Sequence, residues 1–351
     1  MTYQRINLQE KMLPAPRDGG FKMEEFWVWC ASVIRSDDDG KYYMFSVRWP
    51  KTHAMHPSWL LNSEIVRASS DKPEGPYQFE EVILGARGAE YWDGRSVFNP
   101  RIKKIGDTYV LYYVGTTHPF PDVKDDEILT EEDPRVIVAR SNKRIGIATS
   151  KSLTGPWIRQ DSPILLPRPD SFDNFFTSNP APYVEEDNSI LLVYKTRTYK
   201  KPPYTGTLHG SMQIGVAKAQ SYSGPYQQVR DTPVFNRDII SIEDPFVWKE
   251  NNQYHMIAKD MRGDVCGQKH GGMHAVSDDG IHWEAIKGEL SYSRLVLWDD
   301  GKQELMGSLE RPFLLFENGK PAYAFFGTSN GTQGFTDATD TWTVCIPLKQ
   351  D

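Results

Sequence analysis

Three acidic side chains stand at the heads of short, proline-marked apolar runs. Glu243 and Asp244 precede Pro245-Phe246-Val247-Trp248, and Glu310, followed by Arg311, precedes Pro312-Phe313-Leu314-Leu315-Phe316. An acid placed where a strand begins sits at a sheet end, where it can meet other strand ends. Two carboxyl groups crowded into one closed space push their pKa values apart, so that one keeps its proton while the other ionises. General acid and base chemistry needs that division, and Asp244 with Glu310 is the first pair expected to supply it. Each also has a structural alternative: Asp-Pro is ordinary turn chemistry, and Glu310 beside Arg311 reads equally as an internal ion pair.

The elements that must position these acids recur along the chain. Val97-Phe98-Asn99-Pro100-Arg101-Ile102 and Thr177-Ser178-Asn179-Pro180-Ala181-Pro182 repeat the pattern, each followed by a polar turn and a second apolar run. A copy without proline begins at Trp27-Val28-Trp29-Cys30-Ala31. The prolines fall at 100, 180, 245 and 312, in steps of 80, 65 and 67 residues. Each unit has a second half in which a strand runs to a turn and an aromatic: Gly75-Pro76-Tyr77, Gly155-Pro156-Trp157, Gly224-Pro225-Tyr226 and Asp279-Gly280-Ile281-His282-Trp283. Five units of several short strands each predict an all-β chain folded as a five-bladed β-propeller. A large β-sandwich would not require motifs to echo at such a period.

Composition narrows the function classes. In 351 residues, 39% hydrophobic and 12% aromatic content with 27 Gly and 24 Pro suits a turn-rich β protein with a substantial core. A formal charge of −7, with no basic stripe, argues against nucleic acid or an anionic membrane as partner. Small polar molecules fit better. Cys30, Cys266 and Cys345 are odd in number and lack metal-ligand spacing, which predicts reduced thiols. The N-terminus has no apolar h-region, so the chain as written reads as cytoplasmic; with a signal peptide ahead of it, it reads as periplasmic or secreted. Residues 1–23 read as an irregular lead-in and 24–351 as one propeller domain. The long segments Thr117–Ser141 and Tyr199–Gly210 are expected at the mouth of a pocket.

The five-unit pattern, the Asp-Pro and Asn-Pro strand starts, the Gly-Pro-aromatic turns and Glu310-Arg311-Pro312 together resemble the five-bladed propeller glycoside hydrolases. That clan holds family 43 arabinanases and xylosidases, family 32 fructosidases and family 117 anhydrogalactosidases. The resemblance spans roughly residues 24–348 and is one of fold and motif, with no close match to a single protein. It implies an active site in the central axial funnel, where inner strands begin, with Asn99, Asn179, Asp244, and Glu310 with Arg311, facing one another. It implies a glycosidase, exo-acting on the terminal sugar of an oligosaccharide, with a carboxylate pair across the scissile bond. Families 43 and 32 place an Asp at the start of the first blade; Phe26-Trp27-Val28-Trp29-Cys30-Ala31 stands there instead, with Glu24 and Glu25 just before. By analogy with family 117, which uses a histidine as acid, His274 is a third catalytic candidate beside Asp244 and Glu310, against its reading as a plain loop histidine near His270.

Around these, Glu243, Asn99, Asn179, Arg311, Asp93, Asp173 and Trp29 are expected to bind substrate. Asp93 and Asp173 each precede an Asn-Pro start by six residues, placing them at the rim or in loop caps. Trp29 is a stacking surface or core. Lys195, Arg197 and Lys259 end second strands; if they converge they bind an anion, whether uronate, sulfate or phosphate, and phosphate would make the enzyme a phosphorylase, as in family 130. A propeller that binds glycans without chemistry is the other alternative. No cofactor is expected; a structural divalent cation in the central channel is compatible with the clan, but no residues here have the spacing of a strong metal motif. Monomer and homo-oligomer both remain open.

Overall fold

In every repeat the first strand is buried on both faces, so its burial does not alternate. Ile242–Glu250 is buried over its first seven residues and Ser308–Glu317 over its first eight, as expected of strands covered by neighbours on each side. The computed structural model describes residues 7–199, 209–236 and 240–350, and it is a five-bladed β-propeller. Blade one is β1 (Phe26–Arg35), β2 (Tyr42–Pro50), β3 (Glu64–Ser70) and β4 (Gln78–Leu84); blade two is β5 (Ser96–Ile105), β6 (Thr108–Thr116), β7 (Arg144–Ser150) and β8 (Ile158–Arg159). Blade three is β9 (Phe176–Val184), β10 (Ile190–Tyr199), β11 (His209–Ala219) and β12 (Gln227–Gln228), and blade four is β13 (Ile242–Glu250), β14 (Gln253–Asp260), β15 (Gly272–Ser277) and β16 (Glu284–Ala285). A hairpin of β17 (Leu295–Leu297) and β18 (Gln303–Leu305) precedes blade five, β19 (Ser308–Glu317), β20 (Lys320–Ser329) and β21 (Thr341–Pro347).

Blade five has three strands of its own, and its outer edge is supplied by the other end of the chain. Phe21 and Thr343 exchange backbone hydrogen bonds of 3.1 and 2.9 Å, Leu13 N–H donates to Pro347 O, and Lys349 N–H donates to Lys11 O. Met12 and Phe21, after the short helix α1 (Leu8–Lys11), bridge Leu348 and Thr343, so this segment lies along the edge of blade five. This closure matters because a propeller is held together only by contacts between blades.

Three of the aromatics that follow the turns supply such contacts. Tyr77 of blade one packs edge-on against Phe325 of blade five, Trp157 of blade two against Phe45 of blade one, and Tyr226 of blade three shares a 3.0 Å hydroxyl contact with Tyr112 of blade two. Each such aromatic pair contributes about 0.5–1.5 kcal/mol beyond its buried area. A second repeated device anchors the loops entering blades two and three. Buried Asp93 accepts from Tyr113 Oη (2.7 Å) and Arg87 Nε (2.7 Å), and Asp173 accepts from Tyr194 Oη (2.6 Å) and Arg168 Nε (2.9 Å). The two acids expected at the rim are thus tied to side chains inside their own blades.

Candidate active site

The five inner strands share one irregularity, and it builds the floor of the site. Each carries a bulge at which a residue adopts left-handed backbone: Cys30, Asn99, Asn179, Asp244 and Arg311, with φ between 50° and 60°. Asn and Asp tolerate this conformation well, whereas Cys and Arg pay about 1–2 kcal/mol for it. Four are followed by proline, whose missing N–H costs nothing at a bulge, where the ladder is already interrupted.

These residues turn toward the axis and touch in order. Cys30 Sγ donates to Asn99 Oδ1 (3.5 Å), Asn99 Nδ2 to Asn179 Oδ1 (2.9 Å), Asn179 Nδ2 to Asp244 Oδ1 (2.5 Å), and Arg311 Nη1 to Asp244 Oδ1 (2.9 Å). The Arg311 guanidinium also lies beside Cys30, whose thiol burial pushes up to about 11. Behind this ring, the buried Arg101 donates to the carbonyls of Ala31 and Pro312, linking blades one and five to blade two. Asn99, Asn179 and Asp244 thus face one another as the sequence leads one to expect. The fifth member is Arg311; Glu310 stands one residue back, at the position Glu243 holds in blade four.

The residues one step before the ring form the inner wall of a pocket of about 180 Å³. They are Trp29, Phe98, Ser178, Glu243 and Glu310, and all but Ser178 line the cavity directly. Lys259 bridges the two glutamates, with its ammonium against Glu310 and 3.4 Å from Glu243 Oε1, while Lys195 pairs with Glu243. One oxygen from each of Glu243, Asp244 and Glu310 lies within 4.8 Å of the others. Burial raises the pKa of Glu310, and the attraction of Lys259 does not fully offset that and the repulsion of Glu243 and Asp244. Burial acts on Glu243 in the same sense, but Lys195 and Lys259 outweigh it and hold the carboxyl well below its ordinary value. The two glutamates are pushed in opposite directions.

Much of the rest of the lining is aromatic. Trp49, Trp59, Phe176 and Phe335 join Trp29 and Phe98, with Trp59 edge-on to Phe98 at 5.0 Å. The mouth is built by α2 (Met55–Asn62), by α3 (Pro134–Ser141), and by Phe335 from the loop between β20 and β21. Asp133 caps α3 by accepting from Arg135 N–H (2.8 Å). The acidic segment Thr117–Ser141 does reach the mouth: His56 of α2 contacts Glu131, and Arg140 of α3 lines the pocket. Of the segment Tyr199–Gly210, residues 200–208 lie outside the described residues.

His274 does not join this site. It is fully buried in β15, with Nδ1 2.9 Å from Glu289 Oε1, Nε2 3.0 Å from His255 Nδ1, and its ring stacked on Trp248. Asp93 and Asp173 are outside the pocket, as are Glu24 and Glu25, which line a separate groove on the outer surface. Of the three cations expected to converge on an anion, Lys195 and Lys259 are committed to glutamates, and Arg197 faces the cavity with no carboxylate paired to it among the described residues. Sequence reasoning missed Phe98, Lys143, His56, Trp59 and Phe335. Phe98 is found by counting one residue back from Asn99. Lys143 directly precedes a third strand, as Ser63 and Met212 lie at or near the same point in blades one and three, and all three line the pocket.

Glu243, Asp244 and Glu310 are the carboxylates close enough to share a metal ion among the described residues. Their donor set does not fit one well: Arg311, Lys195 and Lys259 already match the three charges, and Lys259 stands where a cation between the glutamates would go.

The fold defines a class, the five-bladed propellers, and comparison with solved structures places the chain within it by shape. A family 117 glycoside hydrolase from the marine bacterium Zobellia galactanivorans is similar in fold, with a TM-score of 0.65 at 15% identity over 96% of this chain and 89% of that one. A thermostable family 43 glycoside hydrolase matches with a TM-score of 0.60 at 14% identity, covering 97% and 94% of the two chains. A family 43 enzyme from Xanthomonas citri complexed with xylotriose matches at 0.57 and 15% identity, over 95% and 91%. No protein-family model matches the chain, and no curated protein matches its sequence.

Proposed function

We propose that this protein is a retaining glycoside hydrolase in which Glu310 is the general acid and Glu243 the ionised carboxylate that attacks the sugar. The observation that carries this reading is the pair itself: two glutamates at equivalent positions of neighbouring blades, at the foot of one pocket, with pKa values pushed apart. Opposed environments around paired carboxyls assign acid and base roles. Glu310 would protonate the leaving oxygen. Glu243, held ionised by Lys195 and Lys259, would form the glycosyl-enzyme bond, which water then cleaves with Glu310 acting as base. Inversion needs about 6.5–9.5 Å between carboxyls to admit a water, and retention about 5–5.5 Å; glutamate oxygens within 4.8 Å of each other at one atom apiece are compatible with the shorter gap. Asp244, paired to Arg311, holds the floor and adds negative charge beside Glu310.

The shape of the site supports action on a chain end. The axial ring closes the floor, the helices and Phe335 narrow the mouth, and about 180 Å³ is small beside the ~300–1,000 Å³ of drug-sized sites. An aromatic wall offers the apolar face of a sugar ring a stacking surface. The shared fold of family 117 and family 43 hydrolases is consistent with this chemistry. A screen of aryl glycosides and plant and algal oligosaccharides, with and without phosphate, tests it. Release of a monosaccharide without phosphate, with retained anomeric configuration by NMR and loss of turnover in Glu243→Gln, is the expected result. Turnover untouched by either glutamate substitution would overturn the assignment.

A further inference from the structure

Around the pocket each acid has a cation of its own, and two cations are left over. Asp244 pairs with Arg311, Glu310 with Lys259, Glu243 with Lys195, and Glu131 with Arg140. Lys143 and Arg197 remain. Lys143 is 4% exposed, and its ammonium lies 3.7 Å from the centroid of the Phe176 ring and 5.7 Å from that of Trp59. No carboxylate or carbonyl among the described residues bonds to it. The side-chain partner of Arg197 is the ring of His209, which carries no negative charge.

The two cations flank one spot. Arg197 is the cross-strand partner of Phe176, the residue whose ring carries the Lys143 ammonium, and Lys143 O accepts the backbone N–H of Thr177 next to it. Both side chains line the pocket. Burying a cation without a counter-charge is costly, and a cation–π contact offsets only part of that. Burial, then the like charges of Lys195, Arg140 and Arg197, pushes the Lys143 ammonium well below its ordinary range. A surplus of positive charge facing the cavity is complementary to an anion.

We propose that Lys143 and Arg197 form an oxyanion subsite, and that the sugar bound here carries an acidic substituent, a carboxylate or a sulfate ester, which these two residues clamp. The identity of the bound group as part of a substrate rests on the hydrolase reading; the subsite itself does not. The Arg197 fork offers two parallel donors to a planar or tetrahedral oxyanion, and Lys143 adds a point charge. Neutral sugars of the same shape would leave both cations unpaired, which gives the site a basis for discrimination.

The test is calorimetric binding of uronic acids, sulfated monosaccharides, their neutral hexose counterparts and inorganic phosphate to the full chain, its Lys143→Met and Lys143→Arg variants, and a Glu310→Gln variant. Acidic sugars are expected to bind at least tenfold more tightly than neutral ones. That preference should vanish in Lys143→Met, return in Lys143→Arg, and shrink with added salt, while Lys143→Met weakens neutral sugars far less than acidic ones and its Tm does not fall, since an unpaired buried charge has been removed. Equal affinity for acidic and neutral sugars in the wild type, equal weakening of both by Lys143→Met, or no binding of any sugar acid or anion overturns the proposal. Lys143-dependent binding of phosphate, with turnover that requires it, shows a free co-substrate and overturns the assignment of the charge to the sugar. Acid-selective binding without cleavage of any glycoside leaves the subsite standing and refutes the hydrolase; cleavage of neutral glycosides with no preference for acidic ones does the reverse.

Discussion

Blades one and two build the same inner strand as blades four and five, yet they deliver opposite surfaces to the axis. In all four the chain reaches a bulge, turns through a left-handed residue and continues as a buried strand. One residue before that turn, blades one and two present Trp29 and Phe98, and blades four and five present Glu243 and Glu310. A repeated backbone has therefore been divided into a half suited to hold a sugar face and a half suited to move its protons. Blade three stands between, with small Ser178 at the equivalent place and Lys195 and Arg197 on the next strand. The comparison shows that the backbone specifies where a side chain points, and residue type alone decides what the pocket can do there.

Substitutions at equivalent positions should separate the halves most sharply. Glu310→Gln and Glu243→Gln are each expected to lower kcat of the folded protein about 10²–10⁴-fold, the usual worth of a positioned acid or base; the amide keeps the shape, but Glu243→Gln also leaves Lys195 without its carboxylate and should lower Tm. Phe98→Leu, their counterpart in blade two, should raise KM and change kcat less than tenfold; steady-state kinetics on one glycoside reads all three. Next in size is the ring beneath. Asp244→Ala leaves Arg311 buried without its partner and should cost about 3–5 kcal/mol in urea unfolding. Asn99→Ala, which breaks a neutral hydrogen bond in the same ring, should cost about 1–2 kcal/mol. Equal costs would remove the charge asymmetry between the halves.

His274 offers a smaller and different contrast, since it belongs to blade four but not to its working end. His274→Leu strands the buried Glu289 and should lose about 1–3 kcal/mol of stability, while kcat of the folded protein stays within about twofold. A kcat loss as deep as that of Glu310→Gln would restore the histidine as acid. The mildest effect is on pH. Glu310 must be protonated to act and its pKa is raised, so kcat/KM should fall about tenfold per unit as pH rises through that value. Glu243 is held below its ordinary value, so its ionised form survives into acid and the acidic limb lies lower. In Glu310→Gln the residual kcat/KM should lose the basic limb.

Much of this was legible because it is local. Proline-marked strand starts and turns ending in aromatics made the repeat and the five blades readable from residue types and spacing, while the meeting of Asn99, Asn179 and Asp244 at the axis followed from the resemblance to the propeller hydrolases. In the last unit the expectation sets Glu310 with Arg311 opposite Asp244; Pro312 puts Arg311 at that position and Glu310 one residue back, and only the ring of contacts makes the offset plain. Lys143 gave little signal, since a lysine before a strand is ordinary until its surroundings are known. Asp93 and Asp173 were recognised as a pair, but a sequence does not show that Tyr113 and Tyr194 would draw them inward.

The amino-acid sequence by itself determined the number of repeats and the apolar strand that leads each of them, because both are written in residues a few positions apart along the chain. The tertiary structure decided which charges meet. Glu243 and Glu310 share Lys259, Asp244 finds Arg311, and Lys143 comes to rest over Phe176. Most of these pairs bring together separate strands or blades that meet only once the propeller closes. Electrostatic energy depends on distance and on exclusion of water, and both are properties of the closed ring of blades.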